Sequence, residues 1–295
     1  MSELTRLADV ADQVKKYWSP IGISKLKEDS YLPSIVNREY EGTIQNEGDR
    51  VVISEYIIPK ATRKQTGAGE ESFESVKLAT QKVEVIANQT ITVAYEVQSL
   101  VEIESQIKQA DSRLRENMIM GLENELNAYL MSLVNPSSAA PDHLINGITD
   151  FNATELAKVR NLAAKARWMK DGNWFGLVDP QYYSDMLNSA TLTSRDFTEG
   201  DTVINGKIAN KRYGFNIMED NSDALLSLSP ATAGADVGLF FHKDFMHLVM
   251  PQDITFQISS LHSQKKHGYL ISAHMVCGAA LGINGNKKHI LAYNT

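Results

Sequence analysis

Residues 49–59 read DRVVISEYIIP, and residues 83–97 read VEVIANQTITVAYEV. Apolar and polar side chains alternate along the second run, which is the pattern of a strand with one buried face. The residues predicted to share its apolar face are Val83, Val85, Ala87, Gln89, Ile91, Val93, Tyr95 and Val97. The first run is rich in β-branched residues and stops at Pro59, which cannot donate a hydrogen bond to a neighbouring strand. We therefore predict that the two runs pair as an antiparallel hairpin.

A long polar segment separates the two runs. It covers residues 60–81 (KATRKQTGAGEESFESVKLATQ) and is centred on Gly67-Ala68-Gly69. Compact domains seldom contain a structureless connection of this length. We expect the segment to be either disordered or ordered by another chain.

An amphipathic helix is predicted from Ile103 to Leu133. Its apolar residues recur at spacings of three and four, which keeps them on one side of a helix. They are Ile103, Ile107, Ala110, Leu114, Met118, Leu122, Leu126, Tyr129 and Leu133. At 1.5 Å per residue this helix is roughly 45 Å long, which exceeds the usual helix of globular domains. The repeat is short for a coiled coil and includes Gly121, so we interpret the helix as a strut within one subunit.

Composition excludes several classes of function. The 295 residues are 43% hydrophobic, which is enough for the core of one or two domains. The net charge of -7 argues against a dedicated nucleic-acid binder, whose affinity rests on a basic surface, although passive contact with DNA stays open. The single Cys277 excludes an intrachain disulfide and is expected to be a small buried residue. No secretory leader or long apolar run is present, so we expect synthesis in the cytoplasm and no membrane contact.

The region after the long helix has the pattern of a small mixed α/β subdomain. It follows a linker at residues 135–141 (NPSSAAP). Asn152 has the character of an N-cap, with a glutamate three residues on, and predicts a helix that continues toward Gly172. Residues 174–178 (WFGLV) indicate a buried strand, and Asp179-Pro180 predicts the start of the next helix.

Three strand-like runs close the sequence, at residues 253–259, 269–278 and 289–293. They are separated by His267-Gly268 and by Asn284-Gly285-Asn286, which are favourable turn sequences.

No residue pattern predicts a catalytic, cofactor or metal site. His242 and His247 are five residues apart, as are His262 and His267, and this spacing does not place a pair on one face of a helix. The HExxH and G-x-S-x-G motifs are absent, and residues 278–288 lack the spacing of a phosphate loop. We expect the protein not to be an enzyme.

Several segments, in their order and spacing, resemble the major capsid proteins of tailed bacteriophages, whose HK97-like fold is shared with encapsulins. They are residues 37–42 (NREYEG), 48–53 (GDRVVI), 122–130 (LENELNAYL), 176–183 (GLVDPQYY) and 206–218 (GKIANKRYGFNIM). The resemblance covers nearly the whole chain.

The resemblance implies an α+β fold with five parts. These are an N-terminal arm (1–42), an extended β-hairpin loop or E-loop (43–97), the spine helix of a peripheral domain (98–142), a mixed α/β axial domain (143–250), and C-terminal strands of the peripheral domain (251–295). It also implies a virion protein, assembled in the host cytoplasm into hexamers and pentamers of an icosahedral shell around double-stranded DNA. Portal and scaffolding proteins, and possibly a decoration protein, are the implied partners.

A long two-stranded hairpin is only marginally stable alone, so we expect it to dock on another copy of the chain. The residues predicted for this intersubunit contact are Tyr56, Ile58, Phe73, Val83, Val85, Ile91, Val93 and Tyr95.

This fold allows two alternatives. Some relatives join subunits by an isopeptide bond between a loop lysine and an asparagine; Lys60, Lys64 or Lys77 could face Asn284 or Asn286 in the same way. No carboxylate follows Asn286 to assist that reaction, so we do not predict the bond. An encapsulin-type compartment is the alternative shell, and a free-standing α/β enzyme is the alternative outside the fold, although no convergent polar site supports it.

Overall fold

The structure is a computed structural model that describes residues 30–43, 48–59, 61, 63, 77–98, 112–193, 211–228, 236–264 and 266–294. Within these residues the strands form sheets of two, three and five strands. None of the helices described is long and apolar enough to span a membrane.

The described chain starts with a short helix, α1 (Leu32–Ile35), whose apolar side chains enter the main core. The next residues are fixed to the body of the protein by Asn37. Its backbone N–H donates to the Met246 carbonyl at 3.3 Å, and its carbonyl accepts from the Leu248 N–H at 2.9 Å. Its side-chain amide donates to Asp244 at 2.8 Å. The last part of the predicted arm is therefore attached to its own subunit.

The predicted hairpin is confirmed. Strand β1 (Arg50–Tyr56) pairs antiparallel with β2 (Thr80–Ile86), with Arg50 opposite Ile86 and Tyr56 opposite Thr80. Of the polar segment at residues 60–81, most lies outside the described residues.

The second run is not one strand, so that part of the prediction is wrong. It breaks at Ala87-Asn88, and β3 (Gln89–Gln98) continues into the three-stranded sheet. The chain crosses close to β9 at this break, since a Cβ added at Gly278 would lie 2.0 Å from the Ile86 carbonyl oxygen. Alternation of apolar residues continues through the break, so the sequence pattern alone did not show it.

The three-stranded sheet has the order β3-β9-β8, with β8 (Met246–Ser260) and β9 (Gly268–Leu281) antiparallel to each other. It packs against α2 (Ser112–Leu133), which confirms the predicted long helix over the residues described. The helix side chains buried beneath the sheet are Met118, Leu122, Leu126 and Leu130. Residues 103–111 of the predicted helix lie outside the described part.

The five-stranded sheet has the order β4-β10-β7-β5-β6. Its strands are β4 (Leu144–Ile145), β5 (Trp174–Val178), β6 (Phe215–Glu219), β7 (Val237–His242) and β10 (His289–Tyr293). Strands β5 and β6 run parallel, and β7 runs antiparallel to both of its neighbours. The strand that ends the chain therefore belongs to this sheet and not to the three-stranded one.

Four helices accompany the five-stranded sheet among the described residues. They are α3 (Ala153–Lys165), α4 (Pro180–Asn188), α5 (Ala190–Thr193) and α6 (Asp223–Leu226). Both predicted N-caps are confirmed. The Asn152 side chain accepts from the Thr154 N–H at 2.9 Å, and the Asp179 carboxylate accepts from the Tyr182 N–H at 3.1 Å. Helix α3 ends earlier than predicted because Arg167 adopts a left-handed conformation at φ 60°.

Apolar clusters cover both faces of the five-stranded sheet. Leu239 and Phe241 of β7 join the cluster that includes α2, whereas Phe240 points into a second cluster with α3 and α4. This explains why β7 (VGLFFH) is an unbroken apolar run instead of an alternating one. Cys277 is buried, as predicted, and burial raises the pKa of its thiol to about 11.

Candidate assembly surfaces

The described β1–β2 hairpin exposes a concentration of large apolar side chains. Six of the ten exposed large apolar residues in the described part of the chain lie on it. They are Val52, Tyr56, Ile57, Ile58, Leu78 and Ile86. Ile58 is 88% exposed and Leu78 is 77% exposed, so these side chains contact almost nothing within the subunit. Exposed apolar groups that lie close together mark interaction surfaces.

The strand register places most of these side chains on one face. The Ile57 N–H donates to the Ala79 carbonyl at 2.9 Å, so the antiparallel register continues past Tyr56 and sets Ile58 opposite Leu78. Side chains directly opposite in antiparallel strands share a face, and alternate residues along each strand do too. We call this face, with Val52, Tyr56, Ile58, Leu78 and Ile86, the outer face of the hairpin.

The opposite, inner face packs on the hairpin's own subunit. Val51 and Val85 are buried against Val249 of β8, and Ile53 packs at the edge of this cluster. The hairpin base is held further by the Gly48 N–H, which donates to the Ala87 carbonyl at 2.8 Å. The hairpin is thus fixed at its base.

The eight residues predicted for intersubunit contact do not form one surface in the subunit. Tyr56 and Ile58 lie on the outer face near its far end, whereas Val83 and Val85 are on the inner face. Phe73 lies outside the described residues.

The other three predicted residues are in β3. Ile91 is buried in the main core, Val93 packs beside it, and Tyr95 is 40% exposed. Sequence reasoning missed Val52, Ile57, Leu78 and Ile86. Leu78 could not be placed from the sequence, because the strand register that sets it opposite Ile58 is seen only in the structure.

Histidines in the described residues take structural positions. His289, at the start of β10, is fully buried; its Nδ1 lies 2.7 Å from the Gly285 carbonyl and its Nε2 lies 3.2 Å from the Ser138 hydroxyl. Because a carbonyl only accepts, Nδ1 carries the proton of the neutral ring. The single proton of the Ser138 hydroxyl is donated to the Asn135 carbonyl at 2.7 Å. Burial, with a smaller effect from the neighbouring His143, lowers the pKa of His289 to about 4, and the hydrogen bond to the Gly285 carbonyl opposes this shift. Within the described part of the chain, no three His, Cys, Asp or Glu side chains converge to bind a metal ion.

A projecting hairpin, a long helix under a three-stranded sheet and a five-stranded α/β unit together define the HK97-like capsid fold. Solved structures share this arrangement over nearly the full chain. A structure of Mycobacterium phage Che8 has a TM-score of 0.71 at 15% identity and covers 96% of this chain and 97% of its own. The capsid structure of cyanophage P-SCSP1u has a TM-score of 0.72 at 13% identity, with coverages of 97% and 94%. The cyanophage Pam1 capsid has a TM-score of 0.70 at 11% identity, with coverages of 100% and 99%.

Identities this low establish the fold alone. The sequence family described as phage capsid protein matches residues 135–287, just over half of the chain, and the protein therefore belongs to the phage capsid protein family. A search of curated proteins finds no match. The predicted resemblance to tailed-phage major capsid proteins is confirmed.

Proposed function

We propose that the chain is a self-assembling major capsid protein that forms the icosahedral head shell around the double-stranded DNA of a tailed phage. The observation that supports assembly most directly is the group of exposed apolar side chains on the outer face of the hairpin. A monomeric protein gains nothing from presenting Ile58 and Leu78 to water at the end of a two-stranded projection. Docking on a second copy removes this surface from solvent.

The energetics favour repeated weak contacts. Burying one Ile or Leu side chain fully contributes about 1.5–3 kcal/mol, so the outer face supplies a modest free energy at each contact. In a shell every copy donates one hairpin and receives another, and the closed symmetry leaves no hairpin without a neighbour. Many such contacts hold together a particle whose single interfaces can still dissociate and correct errors during assembly.

The predicted contact residues then fall into two roles. Tyr56 and Ile58, with the added Leu78, contact the neighbouring copy, and Phe73 and Tyr95 remain predicted contacts. Val83, Val85, Ile91 and Val93 support the hairpin and its attachment from within the subunit.

The two large sheets suggest the placement of the domains. We assign the five-stranded unit, including β10, to the axial domain around local symmetry axes, and α2 with the three-stranded sheet to the peripheral domain. Hexamers and pentamers, a portal and a scaffolding protein, and possibly a decoration protein are the proposed partners. The shell encloses DNA without reading its sequence, and the capsid family gives no reason to assign an enzymatic activity.

Assembly is tested by expressing the chain alone and with a scaffolding gene from its genomic neighbourhood, followed by negative-stain electron microscopy and light scattering. We expect closed shells, capsomers or tubes from the wild-type chain. Ile58→Asp and Leu78→Asp should yield folded subunits that do not close into shells, because each places an unpaired charge among the exposed apolar side chains at the far end of the outer face. Ile58→Val and Leu78→Ile are the matched controls, since they keep the face apolar.

A wild-type chain that stays a compact monomer under every condition, or aspartate variants that assemble as well as their controls, would contradict the proposal. Shells that the chain forms without a scaffolding gene, and that enclose a cargo protein from the host, would favour the encapsulin-type alternative.

A further inference from the structure

A basic pocket of about 440 Å³ lies at one edge of the five-stranded sheet. Its lining residues are Arg160, Lys170, Gly172, Trp174, Lys211, Tyr213 and Gly214. Strands β5 and β6 are parallel, with Trp174 opposite Phe215, so the loops that precede both strands meet at the same edge. Helix α3 contributes Arg160 from the side. Three separate parts of the chain therefore bring cations to one cavity.

Among the described residues, no carboxylate neutralises the positive charge of this pocket. Arg160, Lys170 and Lys211 form no ion pair with any other residue in the described ranges, whereas Lys158 on the same helix pairs with Glu155 at 2.7 Å. The carboxylate of Asp171, next to Lys170 in sequence, accepts instead from Asn173 and faces His242 at 3.3 Å. A cluster of three unpaired cations is unusual in a chain of net charge -7.

The pocket loops are held in conformations that cost free energy. Among the described non-glycine residues, four have a positive φ, and Arg167, Lys211 and Tyr213 are three of them. Residues in this region of backbone space tend to cluster at binding sites, where the surrounding structure enforces them. The indole N–H groups of Trp168 and Trp174 donate to the Lys287 and Met169 carbonyls at 2.6 Å each, which anchors the chain next to Arg167.

We infer that the pocket binds phosphate groups of a nucleic-acid backbone, without reading base sequence. Lysine ammonium groups bind phosphate as point charges, and phosphate brings several acceptor oxygens to one place. The Tyr213 ring, 38% exposed beside the cations, offers an apolar surface to the adjoining sugar or base. The identification of that nucleic acid as the enclosed DNA rests on the proposed function. The overall acidity of the chain keeps each contact weak, so that DNA can still move along the shell.

The test is fluorescence anisotropy of labelled 20-base-pair duplexes of two unrelated sequences, titrated with the full chain as unassembled subunits over a series of salt concentrations. We expect both duplexes to bind equally and weakly. The double variant Lys170→Gln/Lys211→Gln should lose about five-fold or more in affinity. Each phosphate contact contributes about 0.9 to the slope of log affinity against log salt, so the slope should fall by nearly two. The matched control Lys158→Gln/Lys165→Gln changes the net charge by the same amount on exposed positions outside the pocket, and should bind like the wild type.

Equal losses in the two double variants, or no binding by the wild-type chain, would overturn the inference. So would binding of an acidic peptide but not of a duplex, which would make the pocket a contact between copies. If a mononucleotide displaces the duplex at matched phosphate concentration, the ligand of the pocket is a free nucleotide and not a nucleic-acid backbone, which would also overturn the inference.

Shell formation by the pocket variant is followed in parallel. We expect it to be normal, because none of the altered residues lies on the outer face. A wild-type chain that binds duplexes but forms no shells would contradict the proposed shell function and would still support phosphate binding by the pocket.

Discussion

The five-stranded sheet and the β1–β2 hairpin differ in how far they bury their apolar residues. Every residue of β7 is buried, with Phe240 on one face of the sheet and Phe241 on the other, and both faces are covered by the same subunit. The hairpin buries only its inner face and leaves Ile58 and Leu78 exposed. The first unit is complete as a monomer, whereas the second is completed, on our proposal, only by a neighbour. Stability of the subunit and assembly of the shell should therefore respond to different substitutions.

Phe240→Ala should have the largest effect on the subunit. The ring stacks on Phe151 at 5.5 Å and meets Phe215 edge-on at 5.4 Å, and a Cβ at Gly176 would come within 2.7 Å of it. Removing a fully buried phenylalanine costs about 3–5 kcal/mol. Urea denaturation of unassembled subunits measures this loss. Phe240→Leu should cost clearly less, and a loss below about 1 kcal/mol for the alanine variant would show that the site is not a packed core.

Gly278→Ala tests the junction between the hairpin and the three-stranded sheet. The added Cβ would lie 2.0 Å from the Ile86 carbonyl oxygen and 2.7 Å from the Ala87 Cα, which are backbone atoms that cannot rotate away. We expect a loss of about 2–3 kcal/mol in unfolding free energy, at the upper part of the range for overpacking. Gly121→Ala is the control, because its Cβ would meet only Val93 at 3.7 Å on an exposed helix position. That control should gain up to about 1 kcal/mol, and equal effects in the two variants would disprove the close crossing.

The pH dependence of the subunit's stability should arise from buried titratable groups in the five-stranded unit. His289 is neutral when folded, and its pKa falls from 6.5 to about 4 through burial. The unfolded chain therefore binds a proton that the folded chain does not between these values. The stabilising contribution is complete above pH 6.5 and is lost progressively as the pH falls toward 4. Asp179 contributes to the pH dependence with the opposite sign. Burial and then Asp236 raise the pKa of its carboxyl to about 6, so lowering the pH protonates this buried group and stabilises the folded chain.

Comparing the wild type with His289→Gln isolates the histidine, since Asp179 is present in both. The wild type should lose roughly 2 kcal/mol relative to the variant between pH 7 and pH 5. Denaturant titrations at both pH values measure the difference. A difference that does not change with pH would mean that His289 is accessible to protons in the folded chain.

The sequence predicted local features well where a local signal bounds them. Strand β5 was predicted at its observed limits because Asp179-Pro180 ends it, and α3 was predicted to start at the Asn152 cap. The break at Ala87-Asn88 was missed because it depends on Gly278, which lies far away in the chain. The choice of the inner face for Val85 was missed for the same reason, since Val249 of β8 determines it. The candidate assembly surface was thus predicted in its element, the hairpin, but not in its exposed face.

Ile58→Ser should have the smallest effect on the stability of the subunit. It therefore separates subunit stability from shell assembly most clearly. Ile58 is 88% exposed, so its replacement should change the unfolding free energy of the isolated subunit by no more than about 0.5 kcal/mol. If the outer face is buried between copies, the same change should prevent or strongly slow shell closure, because the lost apolar burial is repeated at every contact. Light scattering measures assembly and urea denaturation measures stability on one preparation. Parallel loss of both quantities would place Ile58 in the subunit's own core, contrary to the exposed position described above.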